Sequence, residues 1–378
     1  MEFDIVSEVS GHHHRSTSLS ASTAPPTSSG FEFTDYRQRI AVSVMLLAIF
    51  LIGVVGNALV LVAVVVSQKL QTSTNAFVVC LSVTDLFSCL VLPFQVVNVL
   101  STTGPLLPDA LCGIIGGIAI SSAIASVITL ALIAINRCII ITTERRTYEK
   151  IYSTCNVTAM VLFSWVFPLA TMVLPQVAGF GRIGYTKKYK LCLMDGDHSY
   201  AFIYEYLAAF IQLTCFIIIV VTYGKIYRFL RQKMFFARSA SRISNDGNTN
   251  RIVPTVTTSF TDQLSTSQTT PWRERNGEAR EGNGVKMPSK REVQITRNLF
   301  YVICGFFVSI VPYAIAVSIP NSSRVLVYMT LLLCASSIIN PIIYGFNHPH
   351  FRVVFRTLLR CDFDRIPEPS PLFRALRK

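Results

Sequence analysis

The residues able to do chemistry in this chain lie where chemistry is costly. Asp85 sits inside an apolar stretch, and Asn340, Pro341 and Tyr344 interrupt the end of another. A charge at the middle of a bilayer costs about 2.5 to 3.5 kcal/mol on insertion scales, so it marks function by default. Proline removes a backbone hydrogen bond and bends a helix, and an asparagine in hydrocarbon must find a partner inside a bundle. Asn57, Ser126, Ser336 and Asn340 can turn toward Asp85 and build a polar pocket large enough for water or one small cation. A structural network without an ion is the plainer alternative. Arg137, in Ile135-Asn136-Arg137-Cys138, and Glu292 form a second constellation, a breakable ion pair between two helix ends. A snorkelling arginine would explain Arg137 alone, but not its company with Asp85, Asn340 and Tyr344. Catalysis fits poorly. The apolar stretches contain no histidine, whereas an intramembrane enzyme needs a nucleophile with its base or metal ligands at helical spacing.

The elements that must position these groups are membrane spans. Of 378 residues, 51% are hydrophobic and 15% charged, with mean hydropathy +0.48, a profile that a soluble domain of this length would struggle to keep in solution. Stretches long enough to cross ~30 Å of hydrocarbon occur at 41–66, 76–100, 110–142, 157–178, 200–229, 298–319 and 325–346. The expected fold is therefore an all-α membrane protein, a seven-transmembrane helix bundle with a short amphipathic C-terminal helix. Its parts are a disordered extracellular N-terminus (1–39), the bundle (40–346) with a disordered third inner loop (232–289), and an amphipathic helix with an inner tail (347–378). Threaded with the N-terminus outside, the inner segments carry 26 Lys and Arg against 11 Asp and Glu, and the outer segments 8 against 8. That is the positive-inside bias, and the net charge of +13 needs no nucleic acid to account for it. At the first span the bias is weak, since Arg37 and Arg39 lie outside and Lys69 is the lone base of the first inner loop.

The flanks read as solvated segments. No short apolar core with a cleavage site follows Met1, so the first span is expected to direct insertion itself. Ser, Thr and Pro crowd the N-terminal tail, where His12, His13 and His14 read as polar tail more readily than as a metal site. Arg238, Ser239, Ser241, Arg242 and Ser244 set hydroxyls beside bases, a pattern for phosphorylation. Apolar residues at helical spacing with interleaved arginines over 351–360 suit a helix lying on the lipid of the inner leaflet. Cys361 closes it, where acylation would add an anchor and an ordinary free thiol is the equal alternative. Cys80, Cys89, Cys215, Cys304 and Cys334 fall in spans and read as small hydrophobes, whereas Cys112 and Cys192 both face the outside, which makes a bridge between them the economical pairing. Asn321, in Asn-Ser-Ser, matches the glycosylation sequence, with closeness to the membrane standing against its use.

Taken together, these motifs resemble the rhodopsin-like (class A) G protein-coupled receptors over all seven spans and the helix after them. The resemblance rests on Gly56 and Asn57, Leu81 with Asp85, Cys112 lying 25 residues before Arg137, Trp165, Tyr223, Phe306 with Pro312, and Asn340 to Tyr344. It implies a plasma-membrane receptor with an extracellular small-molecule ligand and a heterotrimeric G protein as partner, with arrestin and receptor kinases following. It implies that Asn136, Arg137, Tyr223, Glu292, Asn340, Pro341 and Tyr344 form the G protein switch, that Asp85, Ser126 and Asn340 hold sodium in the inactive state, and that Cys112 bonds to Cys192. No other cofactor is expected. Asn136 in place of the usual Asp, with the stretch from Tyr148 to Ser153, is similar to melatonin receptors and moody-like receptors. Cys138, Cys215 and Ile310 depart from the family's usual Tyr, Pro and Trp.

For the ligand, the third span offers Ala119 and Ala123 on one face and no carboxylate to pair a cationic amine. Cys334 stands where an opsin would carry its lysine. What is left is a small apolar pocket of Ala119, Ala123 and Ile310 edged by Gln95, Tyr204, Tyr313 and Thr330, under a loop made basic by Arg182, Lys187, Lys188 and Lys190. A lipid-like or indole-like molecule, neutral or weakly acidic, would suit it, with a peptide as the alternative ligand and core packing as the plainer role of each of these side chains. The rival readings are a constitutive or divergent receptor and a polytopic transporter, and the internal repeats or broken helices that mark the latter are not seen.

Overall fold

The computed structural model describes residues 32–194, 201–245, 290–319 and 323–376. The triple histidine, Asn321 and most of the third inner loop lie outside the described residues, as do the side chains of Arg238, Ser239, Ser241, Arg242 and Ser244. Seven helical segments among the described residues are long and apolar enough to cross a membrane.

Helix α1 (Tyr36–Val66) starts inside the segment assigned to the tail, because the Asp35 carboxylate accepts the backbone N–H groups of Arg37 at 3.0 Å and Gln38 at 3.4 Å. This satisfies two of the donors that a helix start leaves orphaned. The second span is two helices rather than one. Helix α2 (Ser73–Leu90) gives way at Val91 to α3 (Leu92–Leu100), since Pro93 lacks the N–H that a continuous ladder would require.

Helix α4 (Asp109–Thr142) is the axis of the bundle and is buried almost without interruption from Ser121 to Ala134. Its Gly, Ala and Ser residues let neighbouring backbones approach closely, the usual device of membrane helices. A short helix α5 (Arg145–Ile151) leads into α6 (Thr154–Val177). Strands β1 (Ile183–Thr186) and β2 (Leu191–Met194) form an antiparallel hairpin with Tyr185 opposite Cys192. Helix α7 (Ala201–Asn245) runs on past the fifth span. Residues 232–245 thus continue the helix where a disordered loop was expected, because no glycine or proline interrupts the chain before Gly247. Helices α8 (Lys290–Ser318), α9 (Ser323–Asn347) and α10 (Pro349–Leu359) follow, and α11 (Pro371–Leu376) comes last.

The core gathers around the inner half of α4, with Phe77, Leu81, Leu130, Leu299, Tyr344 and Phe351 nearly sealed from the surface. Outward, Val44, Leu51, Val55, Leu162, Val166 and Leu174 stand more than half exposed, a surface that hydrocarbon accepts and water does not. Helix α10 buries Phe351, Val354 and Phe355 and turns Arg352, Arg356 and Arg360 outward, the amphipathic division expected from its sequence.

Beyond Cys361, which takes a left-handed φ of 53°, the tail folds back as a strap along the inner end of α1. The backbone N–H of Ser370 donates to Val66 O at 2.9 Å and that of Gln68 to Glu368 O at 2.9 Å. The Ser370 hydroxyl donates to Val65 O at 2.7 Å, and Lys69 pairs with Glu368 at 2.9 Å. The final carbonyls of α1, unpaired within the helix, are thereby capped.

Candidate functional site

Asp85 lies on α2 against α9, where Asn340 donates through Nδ2 to Asp85 Oδ2 at 2.7 Å. Both side chains are buried, and Ser337 brings its side chain beside the same carboxyl. Asn57 donates through Nδ2 to Gly53 O at 3.0 Å and to Ser337 O at 2.9 Å, tying α1 to α9. Its buried Oδ1 has no hydrogen-bond partner among the described residues. Two expected members of the pocket are engaged elsewhere: Ser126 Oγ donates to Thr84 Oγ1 at 2.9 Å, and Ser336 Oγ turns back to Leu333 O at 2.6 Å. A serine in a helix can satisfy its hydroxyl on the preceding turn, so its type alone does not fix its direction. A carboxylate, an orphan amide oxygen and nearby hydroxyls are hard oxygen donors, and they fit a small alkali cation rather than a soft metal. Among the described residues no cluster of three His, Cys, Asp or Glu is formed.

The proline after Asn340 fixes this geometry from the α1 side. A Cβ on Gly56 would stand 2.7 Å from Pro341 Cγ, so only a glycine lets this part of α9 approach α1 this closely.

Arg137 is buried at the inner end of α4. Tyr223 of α7 and Tyr344 of α9 both lie near enough to feel its charge. Each ring is held by an aromatic neighbour, Tyr344 stacked on Phe351 at 5.5 Å and Tyr223 5.2 Å from Phe300. Among the described residues each buried hydroxyl finds no hydrogen-bond partner, a state that costs about 1–3 kcal/mol per group. The Glu292 side chain lies outside the described residues, so its pairing with Arg137 has no geometry here.

Asn136 faces away from this cluster. Its Oδ1 accepts from Thr74 Oγ1 at 2.8 Å and its Nδ2 donates to Tyr148 OH at 3.3 Å, clamping α4 to α2 and α5. Tyr148 stacks on Tyr152 at 4.9 Å, and burial pushes the Tyr152 phenol up to about 12. Thr74, Tyr148 and Thr84 escaped the sequence reading as partners. The available signal was a fully buried asparagine with both ends of its amide to satisfy.

At the outer end Cys112 and Cys192 are bonded, pinning the hairpin to α4. A Cβ on Gly116 would stand 3.0 Å from Cys192 O, so the hairpin lies directly on the helix. Gln95, expected to edge the ligand pocket, is a loop anchor instead. Its Oε1 accepts from Cys192 N at 2.8 Å and its Nε2 donates to Cys192 O at 2.9 Å, leaving its amide committed to backbone.

Ile310 is buried in the main core with Ile211, Cys215 and Phe306. Ala119 packs beneath the hairpin, Ala123 is partly buried, and Thr330 donates to Leu326 O at 2.8 Å. Tyr313 is partly buried, and the Tyr204 side chain lies outside the described residues. The loop is less basic than its sequence suggests. Arg182 pairs with Asp109 at 3.0 Å, and the nearly buried Lys190 pairs with Glu32 at 3.2 Å. Phe33 is buried beside the hairpin and donates its N–H to Lys188 O at 3.0 Å, so the chain before α1 joins the cover of the outer end. Cys361 is exposed at the end of α10.

The model of a family described as "7 transmembrane receptor (rhodopsin family)" matches residues 56–344. The G-protein coupled receptor moody of Drosophila melanogaster is 27% identical over 357 residues, which cover 86% of this chain and 52% of that protein. The chain thus spans about half the length of the moody proteins it matches. The 5-hydroxytryptamine receptor 1F of Mus musculus is 25% identical over 354 residues, covering 86% of this chain and 94% of that one. A crystal structure of squid rhodopsin superposes with a TM-score of 0.67 over 89% of each chain at 18% identity, a likeness of fold.

Proposed function

The chain belongs to the rhodopsin family of seven-transmembrane receptors, and from that premise we propose that it passes an extracellular small-molecule signal to heterotrimeric G proteins by rearranging the inner ends of α4, α7, α8 and α9. The observation that carries this reading is the pair of buried, unpartnered hydroxyls of Tyr223 and Tyr344 beside Arg137. Their aromatic packing is complete and their polar ends are not. A conformer in which the inner end of α8 swings outward about Pro312 would let α7 and α9 repack and give those hydroxyls partners, offsetting part of the cost of opening. Ligand outside and G protein inside would then each favour the other's binding by linkage.

Asp85 and Asn340 join α2 to α9 one level above the switch, and sodium held there with Asn57 would oppose the change. This rests on the hard-oxygen chemistry of the site.

For the ligand we favour a neutral, largely apolar molecule. The name of the mouse relative refers to an amine, but α4 of this chain carries no acidic residue besides Asp109, which is paired to Arg182. Two of the four loop bases are likewise paired to carboxylates, which weakens the support for an acidic ligand. With the inner loops basic, the N-terminus faces outward and the receptor is multi-pass in the plasma membrane. Arrestin and receptor kinases would act at the phosphorylation pattern near Ser239 and Ser241.

The test is ligand-free G protein dissociation in cells expressing surface-verified receptor across the G protein families, with Arg137→Ala as control. A basal signal in one family that the control abolishes is expected. Signal that persists unchanged in the control overturns the role of Arg137, and silence even with Glu292→Ala favours a receptor divergent from G protein signalling.

A further inference from the structure

A cleft of about 720 Å³ opens between the inner end of α8 and the helix α10, on residues that the switch does not use. From α8 it takes residues one helical turn apart, including Arg297 and Tyr301. From α10 it takes Arg352, Val353 and Arg356, and the end of α9 contributes Phe346. The spacing places these α10 residues on a stripe separate from the buried one of Phe351, Val354 and Phe355. Amphipathicity has thus given α10 two working faces, one packed on the bundle and one turned toward α8.

Among the described residues, charge in the cleft is all of one sign. Among these residues none of the three arginines takes part in an ion pair, and no acidic side chain lines the space. Guanidinium forks in this arrangement match phosphate oxygens two at a time. The rim is apolar and bare: Phe346 is 74% exposed, Val353 46% and Tyr301 45%. An occupant must therefore present several anionic oxygens to the arginines and hydrocarbon to the rim. Asn298 Nδ2 donates to Asn347 O at 2.7 Å across the cleft's inner wall, holding α8 and the end of α9 together as its floor.

We propose that this cleft binds the phosphorylated headgroup of an inner-leaflet inositol phospholipid, with its acyl chains against Phe346, Val353 and Tyr301. Three guanidiniums exceed what a headgroup of single net charge can neutralise, and a phosphorylated inositol ring supplies the remaining oxygens. The volume lies within the range of small-ligand sites, and basic pockets between helices on the cytoplasmic side suit such lipids. The inference takes from the proposed orientation only that this end faces the inner leaflet, and it does not depend on G protein coupling.

The experiment uses the full chain in nanodiscs of phosphatidylcholine containing phosphatidylinositol 4,5-bisphosphate, or phosphatidylserine at equal total charge, with retained lipid read by native mass spectrometry. Retention of the phosphoinositide over phosphatidylserine is expected, falling roughly tenfold or more when Arg297, Arg352 and Arg356 are all changed to Gln. The corresponding change of Arg145, Arg146 and Lys150 on α5 is expected to leave it intact. Equal retention of the two lipids, or full retention by the cleft variant, overturns the proposal. Soluble inositol trisphosphate should displace the lipid poorly, and displacement at equal concentration would make this a site for a free phosphate rather than a lipid. Should the triple variant fail to fold, a photoreactive phosphoinositide on the unmodified chain decides the matter. Labelling of the peptides around Tyr301 and Phe346 supports the site, and labelling confined to other spans overturns it.

Discussion

At the scale of single residues, the buried polar groups divide into those whose burial is compensated and those whose burial is not. Asp85 is joined to Asn340, and its charge is the feature a cation would answer. In purified receptor, sodium chloride is expected to raise the melting temperature above that in potassium chloride at equal ionic strength, and Asp85→Ala to abolish the difference; a difference that survives would remove sodium from the site. Asn136 offers a second test. Asn136→Ala strands the buried Thr74 hydroxyl and should cost about 1–3 kcal/mol of stability, whereas Asn136→Asp keeps an acceptor for Thr74 and should cost less. Thermal melts of the two variants, side by side, order them. Asp85 and Asn340 were legible in the sequence because charge and amide are conspicuous in hydrocarbon. Ser126, Ser336 and Gln95 were misdirected for the opposite reason: small hydroxyls can close on their own helix, and a glutamine near the outer end looks the same whether it faces ligand or loop backbone.

At the scale of elements, position is set by what the helices leave out. Gly56 lets Pro341 approach α1, and Gly116 lets the hairpin lie on α4. Gly56→Val forces the two helices apart and should cost about 1–3 kcal/mol by overpacking, seen as a lower melting temperature and as reduced surface expression, while the same change at the open Gly117 should do little. Span number and approximate limits were legible from apolar length alone. The break at Val91 and the inward run of α7 were harder to read, because hydropathy registers solvent preference and says little about where a hydrogen-bond ladder is interrupted or continued. Pro93 was the local sign of the break.

At the scale of the whole molecule, the two ends of the bundle are closed differently. The outer end is covered by the bonded hairpin and by Phe33, whereas the inner end carries the strap from Ile366 to Ser370. The strap was hidden in the sequence: a short run of prolines, serine and glutamate reads as a loose tail, and its partners lie about 300 positions away. Ending the chain after Cys361 should leave the bundle inserted and the outer disulfide formed, but hydrogen exchange at the first inner loop should rise, and an unchanged exchange pattern would show the strap to be dispensable for order there. The strap also sets a schedule. The segment that closes over Val65 and Val66 is made after the last span, so the inner end of the first helix to enter the membrane stays open while the six later spans are being made. A chain stalled anywhere before Ser370 therefore leaves the same carbonyls of the first helix without these caps.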